Sequence, residues 1–198
     1  EGLRFLRELA DERPGEVKVF PFRMAQGYVE LQRGSSYLVM CSFYEPFGGA
    51  TEGYAVGTPV VARATGGLVQ QIVPHTGGSI SPAARRLAER FHPRGAAPSG
   101  FLFREPDLPA AAVEAAWRAI VDCAYWPGGD RVADRLGIPL FDAMVREATR
   151  AFGDAVDLYT REPAGYARMI YHGFGMLDRF PWERAVQEYQ RVYDSVCR

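Results

Sequence analysis

The sequence predicts a mixed α/β fold with a Rossmann-like, doubly wound parallel sheet, and two patterns support this. Continuous apolar runs recur at 37–41, 59–62 and 100–103, as expected of parallel strands covered on both faces. Segments with helical apolar spacing separate these runs by crossover lengths. After residue 128 the helical spacing continues without a strand signal. We therefore expect a single domain, with an α/β sheet portion at 1–127 and a helical portion at 128–198.

The elements follow in order from local patterns. Apolar spacing predicts a first helix at 3–12, VKVFPF predicts a strand at 17–22, and a weak helix at 24–33 stops at Gly34. Between and after the strands, the same spacing predicts helices at 51–56, 68–73, 82–91, 108–125, 138–158 and 166–197. The Gly-, Pro- and Arg-rich segment 74–99 is interpreted as a surface excursion around the helix at 82–91.

The last helix carries one apolar stripe, at offsets of four, three and four residues: Trp182, Val186, Tyr189 and Tyr193. We expect this stripe to pack against the protein, because such spacing is typical of a core-facing helix.

Composition excludes several partners. The net charge of −1 gives no field that would recruit nucleic acid or an anionic membrane. No apolar run approaches the roughly 20 residues that a membrane span needs, and no secretory leader is visible. Three widely spaced cysteines form neither a metal-ligand spacing nor a disulfide framework. We expect a cytoplasmic protein without a bound metal. Because the chain begins on Glu1 within a helical pattern, we also expect it to be part of a longer, two-domain protein.

The segment from Ser42 to Ile72 predicts a ligand site. In open parallel sheets, ligands bind beyond the carboxyl ends of strands, where free N–H groups at helix starts favour anions. The loop at 42–50 follows one predicted strand, and a second glycine-rich turn, TGG, follows the next. The carboxylates of Glu45 and Glu52 suit the vicinal hydroxyls of a sugar. The backbone candidates for phosphate binding are Gly48, Gly49, Thr65, Gly66 and Gly67.

Spacing alone leaves the function of this segment open. Glycines at strand–helix junctions are also common for geometric reasons, and a glutamate in a first helical turn is a good helix starter. A dinucleotide site is disfavoured, because GGATEG and GTPVVARATGG do not form GxGxxG directly after the first strand. Three classes remain: a sugar-nucleotide transferase, a non-catalytic nucleotide- or sugar-binding module, and a Rossmann-type oxidoreductase.

The stretch SFYEPFGGATEGYAVGTPVVARATGGL resembles the donor-sugar motif of retaining glycosyltransferases with the GT-B fold. Its TGGL form is most similar to the bacterial glycogen and starch synthase family. Three further segments are similar in the same order along the chain: GEVKVFPF, SGFLF and MIYHGFGMLDRFPWERAVQEYQRVY. The resemblance implies the C-terminal, donor-binding domain of such an enzyme, inactive alone, whose missing N-terminal domain brings the glucan acceptor.

The resemblance also implies roles for individual residues. The reaction would transfer glucose from ADP-glucose or UDP-glucose, as substrate rather than cofactor, to an α-1,4-glucan. Glu45 would be the catalytic residue and contact the transferred glucose, Glu52 would bind the ribose, and Phe22 would stack on the base. The remaining donor-binding positions would be Gly48, Gly49, Ala50, Thr51, Thr65, Gly66 and Gly67.

Some expectations from the resemblance are less direct. The chain has one residue fewer between Glu45 and Glu52 than the family pattern, which puts the ribose contact in doubt. Arg104 and Glu105 are interpreted as a surface pair, although the resemblance makes Phe103 and Arg104 secondary donor-site candidates. The alternatives kept are a non-catalytic nucleotide-sugar-binding module and a different retaining hexosyltransferase of the same fold.

Overall fold

A computed structural model describes residues 2–20, 24, 26–77, 80–125 and 135–197, which contain three strands and nine helices. The strands are β1 (Leu38–Met40), β2 (Val60–Arg63) and β3 (Gly100–Phe103). The first six helices are α1 (Gly2–Glu12), α2 (Tyr28–Arg33), α3 (Gly49–Ala55), α4 (Leu68–Gln71), α5 (Pro82–Ala88) and α6 (Ala110–Tyr125). The last three are α7 (Pro139–Arg161), α8 (Pro163–Leu177) and α9 (Trp182–Val196).

The three strands form one parallel sheet in the order β1-β2-β3, which confirms the predicted mixed α/β class. Leu38 pairs with Val60, and Val60 pairs on its other side with Gly100. Every residue of β2 and β3 is buried, so these strands have no polar face and read in the sequence as continuous apolar runs. In the described sheet β1 is an edge strand, and its Val39 is exposed.

Helices cover both faces of the sheet. One face presents Val60 and Ala62 to residues of α3, α4 and α5. The opposite face presents Val61 and Phe103 to α7 and to Met169 of α8. Successive strand residues point to opposite faces, so these two layers together bury the whole of β2.

A glycine allows close packing of α8 on α3. A Cβ atom at Gly173 would lie 2.7 Å from Cδ1 of Tyr54. Tyr54 is fully buried, and its hydroxyl lies 2.9 Å from Oγ of Ser99. The same Oγ accepts the backbone N–H of Val73 at 3.1 Å. The tyrosine ring is therefore fixed between α8 and the segment that precedes β3, and it has no space to move away from an added methyl group.

Segment 74–99 is not the surface excursion that its composition predicts. Ala84 and Ala88 of α5 are buried in the main core, so α5 belongs to the connection between β2 and β3. Ser81 caps α5 by accepting the N–H of Ala84 at 3.2 Å, and its hydroxyl donates to the carbonyl of Arg104 at 2.7 Å. Alanine and arginine dominate this helix, and small side chains allow α5 to lie close to the sheet.

His92 follows α5 and is buried as a neutral side chain. Its Nε2 lies 2.8 Å from the carbonyl oxygen of Val69, and its Nδ1 lies 3.2 Å from Nη1 of Arg179. A carbonyl can only accept, so Nε2 carries the hydrogen and Nδ1 accepts from the guanidinium. A second proton on His92 would remove this acceptor and place a cation beside Arg179.

The predicted strand at 17–22 is not formed over its described part. Residues 17–20 have no regular secondary structure, and the side chain of Phe20 is 52% exposed. Pro21 lacks the backbone N–H that a strand donates to its neighbour, which explains why an apolar run is insufficient here.

The expected packing of the α9 stripe is wrong for the described part of the chain. No residue of α9 is buried, and Trp182 and Tyr189 are 79% and 63% exposed. Periodicity identifies which face of a helix is apolar but not what covers it. Among the described residues, no helix combines the length and the apolar character needed to cross a membrane.

The first prediction compares two glycines of α8. Gly175→Ala should raise the free energy of unfolding by about 0.5–1 kcal/mol, because no atom lies within 4 Å of an added Cβ and alanine favours the helix. Gly173→Ala should lower it by about 1–3 kcal/mol, because the same methyl group meets the fixed ring of Tyr54. Urea denaturation measures both. Equal effects of the two substitutions would contradict the tight α8–α3 contact.

The second prediction concerns pH. Burial, aided by the charge of Arg179, lowers the pKa of His92 below its usual value. The unfolded chain therefore binds more protons near and below pH 6.5, and the stability that the neutral His92 contributes is lost as the pH falls. Urea denaturation at pH 7.5 and 5.5 should show a larger loss for the unmodified protein than for His92→Gln. An identical loss in both would show that His92 does not titrate this way.

Candidate functional site

The loop between β1 and α3 places Glu45 beside the start of a helix. The carboxyl carbon of Glu45 lies 4.0 Å from the position that a Cβ atom of Gly49 would occupy. Ser42 Oγ donates to Glu45 Oε2 at 3.5 Å, and the side chain is half-buried. A side chain at position 49 would also clash with the end of Met40. The carboxylate therefore lies at the edge of the sheet where the resemblance predicts a sugar site, and it keeps contact with solvent.

The second glycine turn packs directly on this loop. The Gly67 N–H donates to the carbonyl oxygen of Glu45 at 2.8 Å. A Cβ at Gly66 would clash with the same carbonyl group, and one at Gly67 would clash with the carbonyl oxygen of Pro46. Gly66 also has a φ of +48°, which other residues rarely adopt. The structure thus brings Glu45, Gly66 and Gly67 together, but it uses the N–H of Gly67 within the protein.

The first turn of α3 presents a small set of backbone N–H groups. Thr51 donates its N–H to Oε1 of Gln71 at 3.3 Å, and Glu52 donates its N–H to the carbonyl of Gly48 at 3.1 Å. The hydroxyl of Thr51 donates to the same carbonyl at 2.6 Å. The first N–H groups of a helix have no acceptor within it. Ala50 is 0% exposed, so its N–H is closed to solvent, and the group left for a ligand is that of Gly49.

The other predicted positions differ in their exposure. Glu52 is exposed on the first turn of α3, whereas the side chain of Ala50 is fully buried. Thr65 is half-buried, and its hydroxyl donates to the carbonyl of Phe43 at 3.0 Å. Phe22 lies outside the described residues. Of the predicted side chains, Glu45 and Glu52 are therefore the two that can offer a carboxylate to a ligand.

A buried arginine, which the sequence analysis missed, joins the ends of all three strands. Arg63 is the last residue of β2 and is 1% exposed. Its Nε donates to Glu105 Oε2 at 3.1 Å and its Nη2 to Glu105 Oε1, while its Nη1 donates to the carbonyl of Phe43 at 2.8 Å. The guanidinium also lies 5.7 Å from the centre of the Trp117 ring. Arg63 thereby fixes the loop after β1 to the segment after β3.

Arg104 and Glu105 are not the surface pair that the sequence predicts. Glu105 is 4% exposed, and its carboxylate is bonded mainly to Arg63. Arg104 is half-buried, with its Nε 3.3 Å from Glu105 Oε1 and its Nη1 donating to the carbonyl of Ala64 at 3.0 Å. Burial, followed by repulsion from Arg63, lowers the pKa of Arg104 below its usual value. The carboxylate is buried because two arginines converge on it, which its position in the sequence does not reveal.

The arrangement offers three kinds of group to a polar ligand. Carboxylates accept from hydroxyls, the N–H group of Gly49 donates, and the guanidinium of Arg104 adds a positive charge. These groups are able to bind hydroxyls and anions. In the described ranges, no three His, Cys, Asp or Glu side chains converge as metal ligands would.

A groove lies beside this edge of the sheet. It has a volume of about 650 Å³, and its wall includes Phe47, which belongs to the same loop as Glu45. Phe47 contacts Phe180 edge to face, with ring centres 5.0 Å apart. Other residues along the wall are Gln70, Phe91, Trp182 and Tyr189. None of the predicted site residues that the structure describes lines this groove.

Comparison of the chain with known protein families, with characterised proteins and with solved structures gives no match.

The third prediction tests the buried ion pair. Glu105→Gln should lower the free energy of unfolding by about 3–5 kcal/mol, because it leaves the charge of Arg63 buried without its carboxylate. The matched control is Asp107→Asn, which removes an exposed carboxylate paired with Arg86 and should cost less than about 1 kcal/mol. Urea denaturation compares the two. Similar small losses would mean that Arg63 does not depend on Glu105.

Proposed function

We propose that the chain is the donor-binding, Rossmann-like domain of a retaining GT-B glycosyltransferase, similar to the bacterial glycogen and starch synthases. The reaction is transfer of glucose from ADP-glucose or UDP-glucose to an α-1,4-glucan. One observation carries the proposal: the loop that bears Glu45 packs against the Gly66–Gly67 turn, beside the start of α3. These are the segments in which the sequence resembles the donor-sugar motif.

The location supports a nucleotide-sugar ligand. Both segments follow strands of a parallel sheet at their carboxyl ends, where ligands of open α/β sheets bind. Charged acceptors bind sugar hydroxyls strongly, and backbone N–H groups or cations bind a diphosphate. Glu45 supplies the first, and the N–H of Gly49 supplies the second.

In this proposal the residues have distinct roles. Glu45 accepts hydrogen bonds from hydroxyls of the transferred glucose and holds the ring in position. The N–H group of Gly49 donates to the diphosphate, whose charge grows as the glycosidic bond breaks. Stabilising that departing charge lowers the barrier to an oxocarbenium-like transition state. Glu52, one helical turn further on, accepts from the ribose hydroxyls.

The fourth prediction is a binding experiment. Calorimetric titration of the chain with ADP-glucose, UDP-glucose, GDP-mannose and NAD should show one glucose nucleotide binding with a dissociation constant of about 1 mM or lower, near −4 kcal/mol. Glu45→Gln keeps the size of the side chain but removes its charge, and it should weaken this binding about tenfold. Glu52→Gln should also weaken this binding, because it removes the charged acceptor for the ribose hydroxyls.

The control is Glu30→Gln, an exposed carboxylate on α2 that should leave binding unchanged. Free ADP, UDP and glucose, titrated separately, assign the loss in each variant to the sugar or to the nucleotide. Binding of NAD alone would refute the proposal. So would nucleotide-sugar binding that neither glutamate affects.

A further inference from the structure

Three arginines gather near the strand ends, Arg63, Arg86 and Arg104, with two carboxylates, Glu105 and Asp107. The Arg86–Asp107 pair is exposed. The buried carboxylate of Glu105 is shared between Arg63 and Arg104. Arg104 therefore shares this carboxylate with a second, fully buried arginine.

The two arginines that share Glu105 differ in what they can still bind. Arg63 gives each of its three nitrogens to an acceptor inside the protein and is 1% exposed, so it is unable to contact a ligand. Arg104 uses its Nε towards Glu105 and its Nη1 towards Ala64, and its side chain is 29% exposed. A guanidinium has five N–H donors, so Arg104 keeps donors for a further acceptor.

The position of Arg104 relates it to the candidate site. Its Nη1 is bonded to the carbonyl of Ala64, which immediately precedes the Thr65–Gly67 turn. The Thr65–Gly67 turn also contacts the loop that carries Glu45. Arg104 is thus held at the same end of the sheet as the carboxylate of Glu45 and the first turn of α3.

We propose that Arg104 binds a phosphate or diphosphate group at this edge of the sheet. The proposal rests on the proposed function for the molecule that carries the phosphate, and it adds a side-chain cation to a site whose backbone donor is the N–H of Gly49. An arginine is suited to this role because its planar guanidinium can donate two parallel hydrogen bonds to phosphate oxygens. Glu105 and Ala64 fix the side chain, so little conformational entropy is lost on binding.

Inorganic pyrophosphate is the probe that isolates this role, because it offers the diphosphate without sugar or base. Calorimetric titration at an ionic strength of about 0.15 M, where exposed charges are screened, should show saturable binding to the unmodified chain. Arg104→Gln should weaken it about tenfold or more. Arg104→Lys keeps the charge but loses the bidentate geometry, and should give an intermediate affinity.

The matched control is Arg86→Gln. It removes the same charge from the same region, but from an exposed pair. It should change the affinity for pyrophosphate by less than about twofold, since exposed charges are largely screened. Equal weakening by Arg86→Gln and Arg104→Gln would overturn the proposal, because the effect would then be one of general charge. An unchanged circular dichroism spectrum and an unchanged thermal midpoint establish that a variant is folded. If Arg104→Gln does not fold, the affinity of Arg104→Lys decides the test.

The outcomes separate this proposal from the proposed function. If pyrophosphate binds through Arg104 while no nucleotide sugar binds, the anion site stands and the glycosyltransferase proposal fails. If a nucleotide sugar binds through Glu45 but Arg104→Gln changes neither its affinity nor that of pyrophosphate, the function stands and the role of Arg104 is refuted. Orthophosphate, titrated in parallel, should bind more weakly than pyrophosphate if the site is built for a diphosphate.

Discussion

The buried charge of Arg63 is the constraint on which this edge of the molecule depends. Removing a guanidinium from water costs several kcal/mol, and the cost is offset only where good acceptors replace the water. Here Glu105 and the carbonyl of Phe43 give each nitrogen of Arg63 an acceptor, so three chain segments must adopt one arrangement together. The loop that carries Glu45 begins at one of those segments. The geometry of the candidate site therefore depends on an ion pair whose arginine is too buried to contact a ligand.

Gly66 and Gly67 also fix the position of the loop that carries Glu45. Gly66 and Gly67 have no side chain because the backbone of Glu45 and Pro46 occupies that space. This contact would be required even if no ligand bound, and it explains part of the glycine pattern in terms of packing alone. It also limits the chemistry, because the N–H of Gly67 is already bonded to Glu45. A ligand at this edge is left with carboxylates, the N–H group of Gly49, and Arg104.

The sequence predicted the features of the fold that depend on local pattern. The buried strands β2 and β3 were visible as apolar runs, and the α/β class followed from their spacing. The sequence did not reveal the pairing of Arg63 with Glu105. These residues lie 42 positions apart and meet only because β2 and β3 are neighbours in the sheet. An arginine that ends an otherwise apolar strand was the available signal. The described part of the run at 17–22, residues 17–20, forms no strand, so an apolar run alone does not determine one.

The exposed apolar stripe of α9 affects the stability of that helix. None of its 15 residues is buried. An isolated helix of about this length is marginal in water, because nucleation is costly and each added residue gains little. Its local support includes the pair between Arg184 and Glu188, and such a pair contributes only about 0.3–0.5 kcal/mol. Local support of this size is too small to hold a helix of this length on its own, and the aromatic residues share one side only while the backbone is helical.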